Sequence, residues 1–339
     1  MVKAREGIDP RVHRRQAAEQ AKLGKIPAVT FAKLAERYRD EYCEKNTKAS
    51  TTTETVRLLS KAAAFFGDKP VGEITEADVA ALLKRPSDPA RWGRNGGLSS
   101  QNNTLKALRR CFAWAKQNIN PDTGKRYIDS DPAAEVMKPL KNEPTRDRVL
   151  EDPEIIAFWR GCEALGWPFG PLFELLLVTG QRREEVAGLR WSELDLAAKV
   201  WHLPGSRTKN SRPHDVHLSA LALSIIDELP VIKPLAGKPD FVFSTRGDTS
   251  VSGFAFAKAK IMPGVDWRLH DLRRTATTGL ARLGVAPHVA DRVLNHQSGT
   301  ISGVAAVYNR FSYLEERKEA LEKWGGFLSG LTAAQRAAA

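Results

Sequence analysis

The chain is poor in the residues that staple, anchor or metallate a protein. Its three cysteines, Cys43, Cys111 and Cys162, are scattered and odd in number. That argues against a disulfide framework and fits buried free thiols in a reducing compartment. No apolar run reaches the roughly 18 residues of a membrane-spanning helix, and the richest stretch, Phe169 to Val178, is interrupted by Pro171 and Glu174. The first residues are charged and lack an apolar core, so no secretory signal is expected there. There is no His-Glu-x-x-His run, no cysteine pair at zinc spacing and no glycine-rich phosphate loop. No metal, nucleotide or other cofactor is therefore expected. No internal repeat is visible, and the single biased tract is the alanine-rich stretch at Ala333 to Ala339. What the chain does have is 339 residues, enough for two domains, and 42% hydrophobic residues for their cores. Its 52 Lys and Arg exceed 40 Asp and Glu, a formal net charge of +12. Such an excess favours a polyanionic partner, although an ordinary basic surface explains the composition equally well.

Helical signals dominate the first 140 residues. The stretch 1–26 is polar and basic and reads as a helical linker. Thr30 can cap a helix with Phe31, Leu34, Ala35, Tyr38 and Tyr42 on one face. A second helix starts near Ser50, carries Val56, Leu59, Ala63 and Phe66, and stops at Gly67. Thr75 to Asp78 resembles a capping box for a third helix through Leu83. After a loop at Pro86 to Gly97, a fourth helix from about Ser100 to Gln117 turns Leu105, Leu108, Phe112 and Ala115 inward, leaving Lys106, Arg109, Arg110 and Lys116 outside. Asp131-Pro132 reads as the start of a short helix ending near Met137, and 141–149 as a linker between domains. The second domain, 150–339, opens with a helix at Glu151-Asp152-Pro153. A further helix spans Pro171 to Val178 and is broken at Thr179-Gly180, and another begins near Arg182. Val200, His202, Val216 and Leu218 alternate as strands do around a polar turn, Pro204 to Pro213, and Phe241 to Phe243 reads as another short strand. From His270 onward the pattern is helical, with a break at Gly284, a looser stretch at Gly299 to Gly303 and a last helix at Leu314 to Trp324.

The second domain concentrates the chemistry. Arg182 follows a helix break, where a guanidinium and backbone N–H groups can meet a phosphate together. Its ordinary role would be a salt bridge to Glu185. Lys209 lies in the polar turn with Arg207 and Arg212. Of these only a lysine can give up a proton; otherwise the turn is a solvated basic hairpin. His270 and Arg273 share one face of a helix start, where the dipole favours an anion, or they form surface pairs with Asp271. His296 follows Asn295, which tolerates a left-handed helix stop, and could equally be a capping or core histidine. Tyr308 comes twelve residues after His296, and Tyr313 shortly afterwards. A hydroxyl side chain can attack phosphorus covalently, and arginine forks match phosphate oxygens, so the set suits a phosphodiester.

The ordered run Thr179-Gly180-Gln181-Arg182-Arg183-Glu184-Glu185, Lys209, His270-Asp271-Leu272-Arg273, His296 and Tyr308 resembles the tyrosine recombinases of the phage-integrase family. The resemblance is good from about Arg148 to Gly330 and looser from Thr30 to Leu140. Asn295 stands where the family often has Gly. The resemblance implies a mainly α fold with a small antiparallel β-sheet: a helical core-binding domain at 27–140 followed by an α+β catalytic domain ending in an exchange helix. The Gly7 to Pro10 run looks like the junction after an arm-binding domain in longer integrases. The activity implied is that of a site-specific recombinase of a prophage or genomic island. Tyr308 would be the nucleophile, and Arg182, Arg273 and His296 would stabilise the phosphorane. Lys209 would be the general acid, His270 would move the tyrosine proton or hold the phosphate, and Glu185 would orient Arg182 or His270. Lys106, Arg109, Arg110, Arg207 and Arg212 would contact DNA. Expected partners are double-stranded DNA attachment sites, three further copies of the chain on that DNA, and accessory DNA-bending or directionality proteins. No membrane partner is implied, and the expected location is cytoplasmic, at the nucleoid. The alternatives are a type IB topoisomerase-like enzyme and a DNA-binding protein without activity.

Overall fold

A computed structural model describes residues 28–84, 97–139, 146–296 and 311–336. The chain divides into two compact units, Met1–Thr145 and Arg146–Ala339, each with its own hydrophobic core. No helix among the described residues is long and apolar enough to cross a membrane.

The first unit is built from helices α1 (Phe31–Tyr38), α2 (Ala49–Phe66), α3 (Glu76–Leu83) and α4 (Leu98–Gln117). Thr30 caps α1 through its side chain, and Thr75 and Asp78 form a full capping box on α3, so both start signals act as the sequence suggests. Phe31 stands at the centre, its ring 5.1 Å from Phe66 and 5.4 Å from Phe112. The expected α1 face fails at one position. A π-helical turn at Arg39–Cys43 follows α1, and its extra residue per turn rotates the chain. Cys43 is buried in place of Tyr42, which is 40% exposed. On α2 the buried residues are Leu58, Leu59, Ala62 and Phe66, so the core face is rotated away from Val56 and Ala63. The segment after Asp131 is a series of turns, not a helix. There the Asp131 carboxylate accepts the Ala133 N–H at 2.8 Å, and Arg109 donates to the carbonyls of Ala133, Ala134 and Val136.

In the second unit the chain runs through α5 (Asp152–Leu165), α6 (Phe169–Thr179) and α7 (Arg183–Ala187). Strands β1 (Leu194–Asp195), β2 (Val200–Leu203) and β3 (His214–His217) follow, then helices α8 (Ala220–Asp227), α9 (Phe254–Ile261), α10 (Leu269–Arg282), α11 (Pro287–Val293) and α12 (Leu314–Arg336). The sheet is antiparallel in the order β1-β2-β3, with Trp201 opposite Val216 and Leu203 opposite His214. Its buried face is Trp201, Leu203, His214 and Val216; Val200 and His202 lie on the other face. Phe241 makes only an isolated bridge to Arg190, so the expected strand there is absent, although Val242 and Phe243 are fully buried.

Helix α6 is the axis of this unit: Leu172 to Thr179 are all buried, and α5, α7, α8, α10 and α12 pack on it. A helix buried on nearly every side needs no amphipathic stripe, and its one charged residue, Glu174, lies at the edge of the buried set at 9% exposure. Helix α12 extends well beyond Trp324. Ala320, Leu321, Trp324 and Leu328 are buried in the core of their own unit, and Trp324 Nε1 donates to the Leu177 carbonyl at 2.9 Å. A Cβ at Gly279 of α10 would stand 2.2 Å from the Trp324 ring, so the glycine sets how closely the two helices cross. Leu314, by contrast, is 52% exposed. Leu321 and Trp324 of this helix thus pack into the core of the domain that carries them. The expected linker is also shorter on its C-terminal side. Arg146 already binds Asp266 and Asp271, and Arg148 binds Glu154.

Candidate functional site

The site is assembled where α6 ends. Gly180 adopts a left-handed conformation, φ 64° and ψ 11°, and a Cβ there would stand 3.0 Å from Leu294 and 3.4 Å from Ala276. The left-handed backbone and the close approach of Leu294 both favour glycine. The turn carries Arg182 out as the residue capping α7. Glu185, almost fully buried, accepts the Arg182 N–H at 3.0 Å and Arg182 Nη1 at 3.1 Å. One carboxylate thus fixes both the backbone and the side chain of Arg182, which is partly exposed.

Arg273 enters from α10 and is 4% exposed. Its Nη1 donates to the Gly180 carbonyl at 2.7 Å and its Nη2 to the Leu294 carbonyl. Burial first, then repulsion from Arg182, pushes its pKa down to about 10, with Glu185 offsetting part of the shift. Two guanidiniums therefore lie within each other's field, one of them desolvated.

His270 stands in the first turn of α10. Partial burial lowers its pKa, followed by repulsion from Arg274 and Arg273, while Asp271 opposes the shift. Asp271 itself points inward and is fully buried: it accepts the Arg268 N–H at 2.8 Å and Arg274 Nη1 at 2.8 Å, and it binds Arg146. The surface pair considered for Asp271 with Arg273 is not formed; Arg274 and Arg146 take the carboxylate. His296 follows the left-handed Asn295, φ 51°, and its backbone N–H reaches the Asp291 carbonyl at 3.0 Å. Partial burial and then Arg273 lower its pKa, while a hydrogen bond that its Nδ1 can donate to the Asp291 carboxylate at 3.3 Å opposes the shift. Both imidazoles thus favour the neutral form, and the same two arginines act on both.

Lys209 is exposed on the turn between β2 and β3. The turn is tightly folded. Thr208 Oγ1 donates to the Gly205 and Arg212 carbonyls, Asn210 Oδ1 accepts the Arg212 N–H at 3.2 Å, and Ser211 has φ 60°. Asn210 also joins this turn to α11: its Nδ2 donates to Asn295 Oδ1 at 2.7 Å and to the Asn295 carbonyl at 3.3 Å. Tyr308 lies outside the described residues. The Tyr313 ring is packed between His288, 4.9 Å away, and Phe311, 4.8 Å away.

The residues expected to contact DNA separate into two groups. Lys106, Arg110 and Arg212 are exposed. Arg109 and Arg207 are struts: Arg109 caps three carbonyls as described above, and Arg207 lies against Glu193 while donating to the Glu185 carbonyl at 2.7 Å. Arg207 supports the residue that orients Arg182 and offers a duplex little surface. Among the described residues no cluster of His, Cys, Asp or Glu could hold a metal ion.

The chain matches the model of the "Phage integrase family" over residues 148–313. It is 27% identical over 331 residues to the prophage integrase IntA of Escherichia coli strain K12, covering 94% of this chain and 74% of that protein. It is 24% identical over 293 residues to the integrase of Enterobacteria phage 434, covering 83% and 77%. Its fold matches the solved structure of a lambda integrase tetramer bound to a Holliday junction, with a TM-score of 0.62 at 19% identity, covering 87% of this chain and 90% of that one.

Proposed function

We infer that the chain belongs to the phage integrase family of tyrosine recombinases, whose model it matches over residues 148–313, and that its own residues divide the reaction as follows. The activity is site-specific DNA strand exchange. The Tyr308 oxygen attacks the scissile phosphorus, the bond to the 5′-oxygen breaks, and a 3′-phosphotyrosine forms. A 5′-hydroxyl from the partner duplex later attacks that phosphorus, the tyrosine leaves, and no external energy source is needed. Arg182 and Arg273 hold the non-bridging oxygens, with His296 beside them. His270, biased towards its neutral form, can take the tyrosine proton. Lys209 protonates the departing 5′-oxygen, because an alkoxide is a poor leaving group.

The observation that carries this reading is the arginine pair. Glu185 binds Arg182 and offsets only part of the repulsion between this guanidinium and the buried one of Arg273, so the pair retains the positive charge that a phosphodiester would neutralise. The choice of Tyr308 rests on sequence spacing and on a short inventory. Of the five tyrosines, three lie in the first unit, and the Tyr313 ring is engaged between His288 and Phe311. The first unit, with Lys106 and Arg110 exposed, is assigned to gripping the duplex. The DNA is a double-stranded attachment site, and four copies act on two such sites; a similar fold has been solved as a tetramer on a Holliday junction. Accessory DNA-bending or directionality proteins would act on the same DNA, in the cytoplasm. The relatives are integrases, which favours strand exchange over relaxation of a single duplex. Tyr308→Phe tests the assignment. It should abolish the covalent adduct on a nicked suicide substrate while leaving DNA affinity nearly unchanged. An adduct formed by this variant through Tyr313 would overturn it.

A further inference from the structure

We propose that Asn210 and Asn295 form a latch that positions Lys209 for proton transfer, making Asn210 a positioning residue of the reaction. The inference rests on the assignment of Lys209 as general acid. The turn between β2 and β3 is anchored on one side by Arg207, which bonds Glu193 and the Glu185 carbonyl, and on the other side of Lys209 the tie to the rest of the domain is made by Asn210. Asn210 is the residue after Lys209, and its amide spans 85 positions of sequence to reach Asn295, the residue before His296. One side chain thus connects the turn carrying the acid to the residue preceding the imidazole.

The acceptor is unusual in the same sense. Asn295 has φ 51°, where glycine is the unstrained choice. Glycine would leave the turn's shape intact but would remove the Oδ1 that accepts from Asn210 at 2.7 Å. Asparagine supplies both the left-handed backbone and the acceptor. On the other side, Asn210 Oδ1 accepts the Arg212 N–H at 3.2 Å, so its amide is oriented at both ends. The end of α11 is itself immobilised. Gln181 Nε2 and His214 Nε2 bond the Val293 carbonyl at 2.9 and 3.0 Å, and Arg273 bonds that of Leu294. The latch therefore ties a protruding turn to a point fixed by three other side chains, and one of these is the phosphate-binding Arg273.

The experiment compares single-turnover cleavage of ordinary DNA with cleavage of DNA in which sulfur replaces the bridging 5′-oxygen at the scissile phosphate. A thiolate leaves without a proton, so a defect in delivering that proton disappears on the sulfur substrate. Lys209→Ala should slow ordinary cleavage by about 10²–10⁴ and recover on sulfur. Asn210→Ala and Asn295→Gly should each slow ordinary cleavage by roughly tenfold, the scale of one hydrogen bond, and both should recover on sulfur. The double variant should be no slower than either single one, and Asn210→Ala should add nothing in a Lys209→Ala background. Defects of equal size on both substrates, additive losses, or unchanged rates in Asn210→Ala would overturn the latch while leaving Lys209 in place. Failure of Lys209→Ala to recover on sulfur would overturn the general-acid assignment and the latch with it.

Discussion

Exposed and buried basic side chains occur in both units, and the contrast is sharpest between helix α4 of the first and the candidate site of the second. In the first, Lys106 and Arg110 stand in solvent on the side of α4 away from Leu105, Leu108 and Phe112. In the second, Arg273 is buried, Arg207 donates to the Glu185 carbonyl, and Arg317 of α12 is partly buried, donating to the Asp215 carbonyl. An exposed cation contributes a long-range, salt-screened attraction to any polyanion. A buried one is fixed in direction by the carbonyls around it and addresses one anion at one place. The contrast suggests that affinity for DNA resides mainly in the first kind of charge and chemistry in the second.

The contrast breaks if Arg273 proves to be only a binder. Arg273→Ala should lower the cleavage rate by at least about 10²–10³ at saturating DNA, and it should also destabilise the unit, because the Gly180 and Leu294 carbonyls lose their donor. Arg182→Ala should lose comparable rate with less stability, since its partner Glu185 also accepts a backbone N–H. Single-turnover kinetics and denaturant midpoints separate the two. A pure affinity defect in Arg273→Ala would erase the distinction.

A second test uses acid. His214 is buried, with Nε2 donating to the Val293 carbonyl and Nδ1 facing Arg317 at 3.5 Å. Burial, then repulsion from Arg317, pushes its pKa down to about 4. The folded state therefore refuses a proton that the unfolded chain accepts below about pH 6.5. Its contribution is complete above that value and is lost as pH falls towards 4, at most about 3 kcal/mol in all. His214→Gln, which keeps a donor for the carbonyl, should flatten this limb of the stability curve relative to the parent. Parallel curves for the two proteins between pH 6.5 and 4 would show that His214 titrates normally.

The smallest effect belongs to the exposed charges. Lys106→Ala with Arg110→Ala should weaken binding by about tenfold and reduce the log-log salt slope by about two, one for each phosphate contact. Cleavage at saturation should be unchanged. An unaltered slope would remove this face of α4 from the DNA grip.

Element positions were legible wherever a local rule decides them. Thr30, Thr75 and Gly67 mark helix ends through their own backbone and side-chain chemistry, and the structure follows them. What was not legible depends on distant partners. The shape of 131–137 is set by Arg109, which is far away in sequence and satisfies carbonyls that a helix would have paired itself. The π-turn that hides Cys43 and exposes Tyr42 obeys no simple periodicity. The packing of helix α12 is not readable locally, because the Leu177 carbonyl that receives Trp324 lies 147 residues upstream. The same limit applied to the candidate site. Arg182 and Glu185 could be paired from their spacing, whereas Asn210, Gln181 and His214 gave no signal, since their partners on 293–295 are brought close only by the fold.

The burial of Trp324 has a consequence for biosynthesis. Among the described residues, the core of the first unit ends at Val136, so it can collapse while the remainder is still being translated. The second unit cannot close its core until Trp324 and Leu328 have emerged. At roughly 5–20 residues per second that leaves an interval on the order of ten to forty seconds. Throughout it, Lys106 and Arg110 are present while the second unit lacks the tryptophan that packs between α6 and α10, so on the proposed division of labour the grip is made before the chemistry.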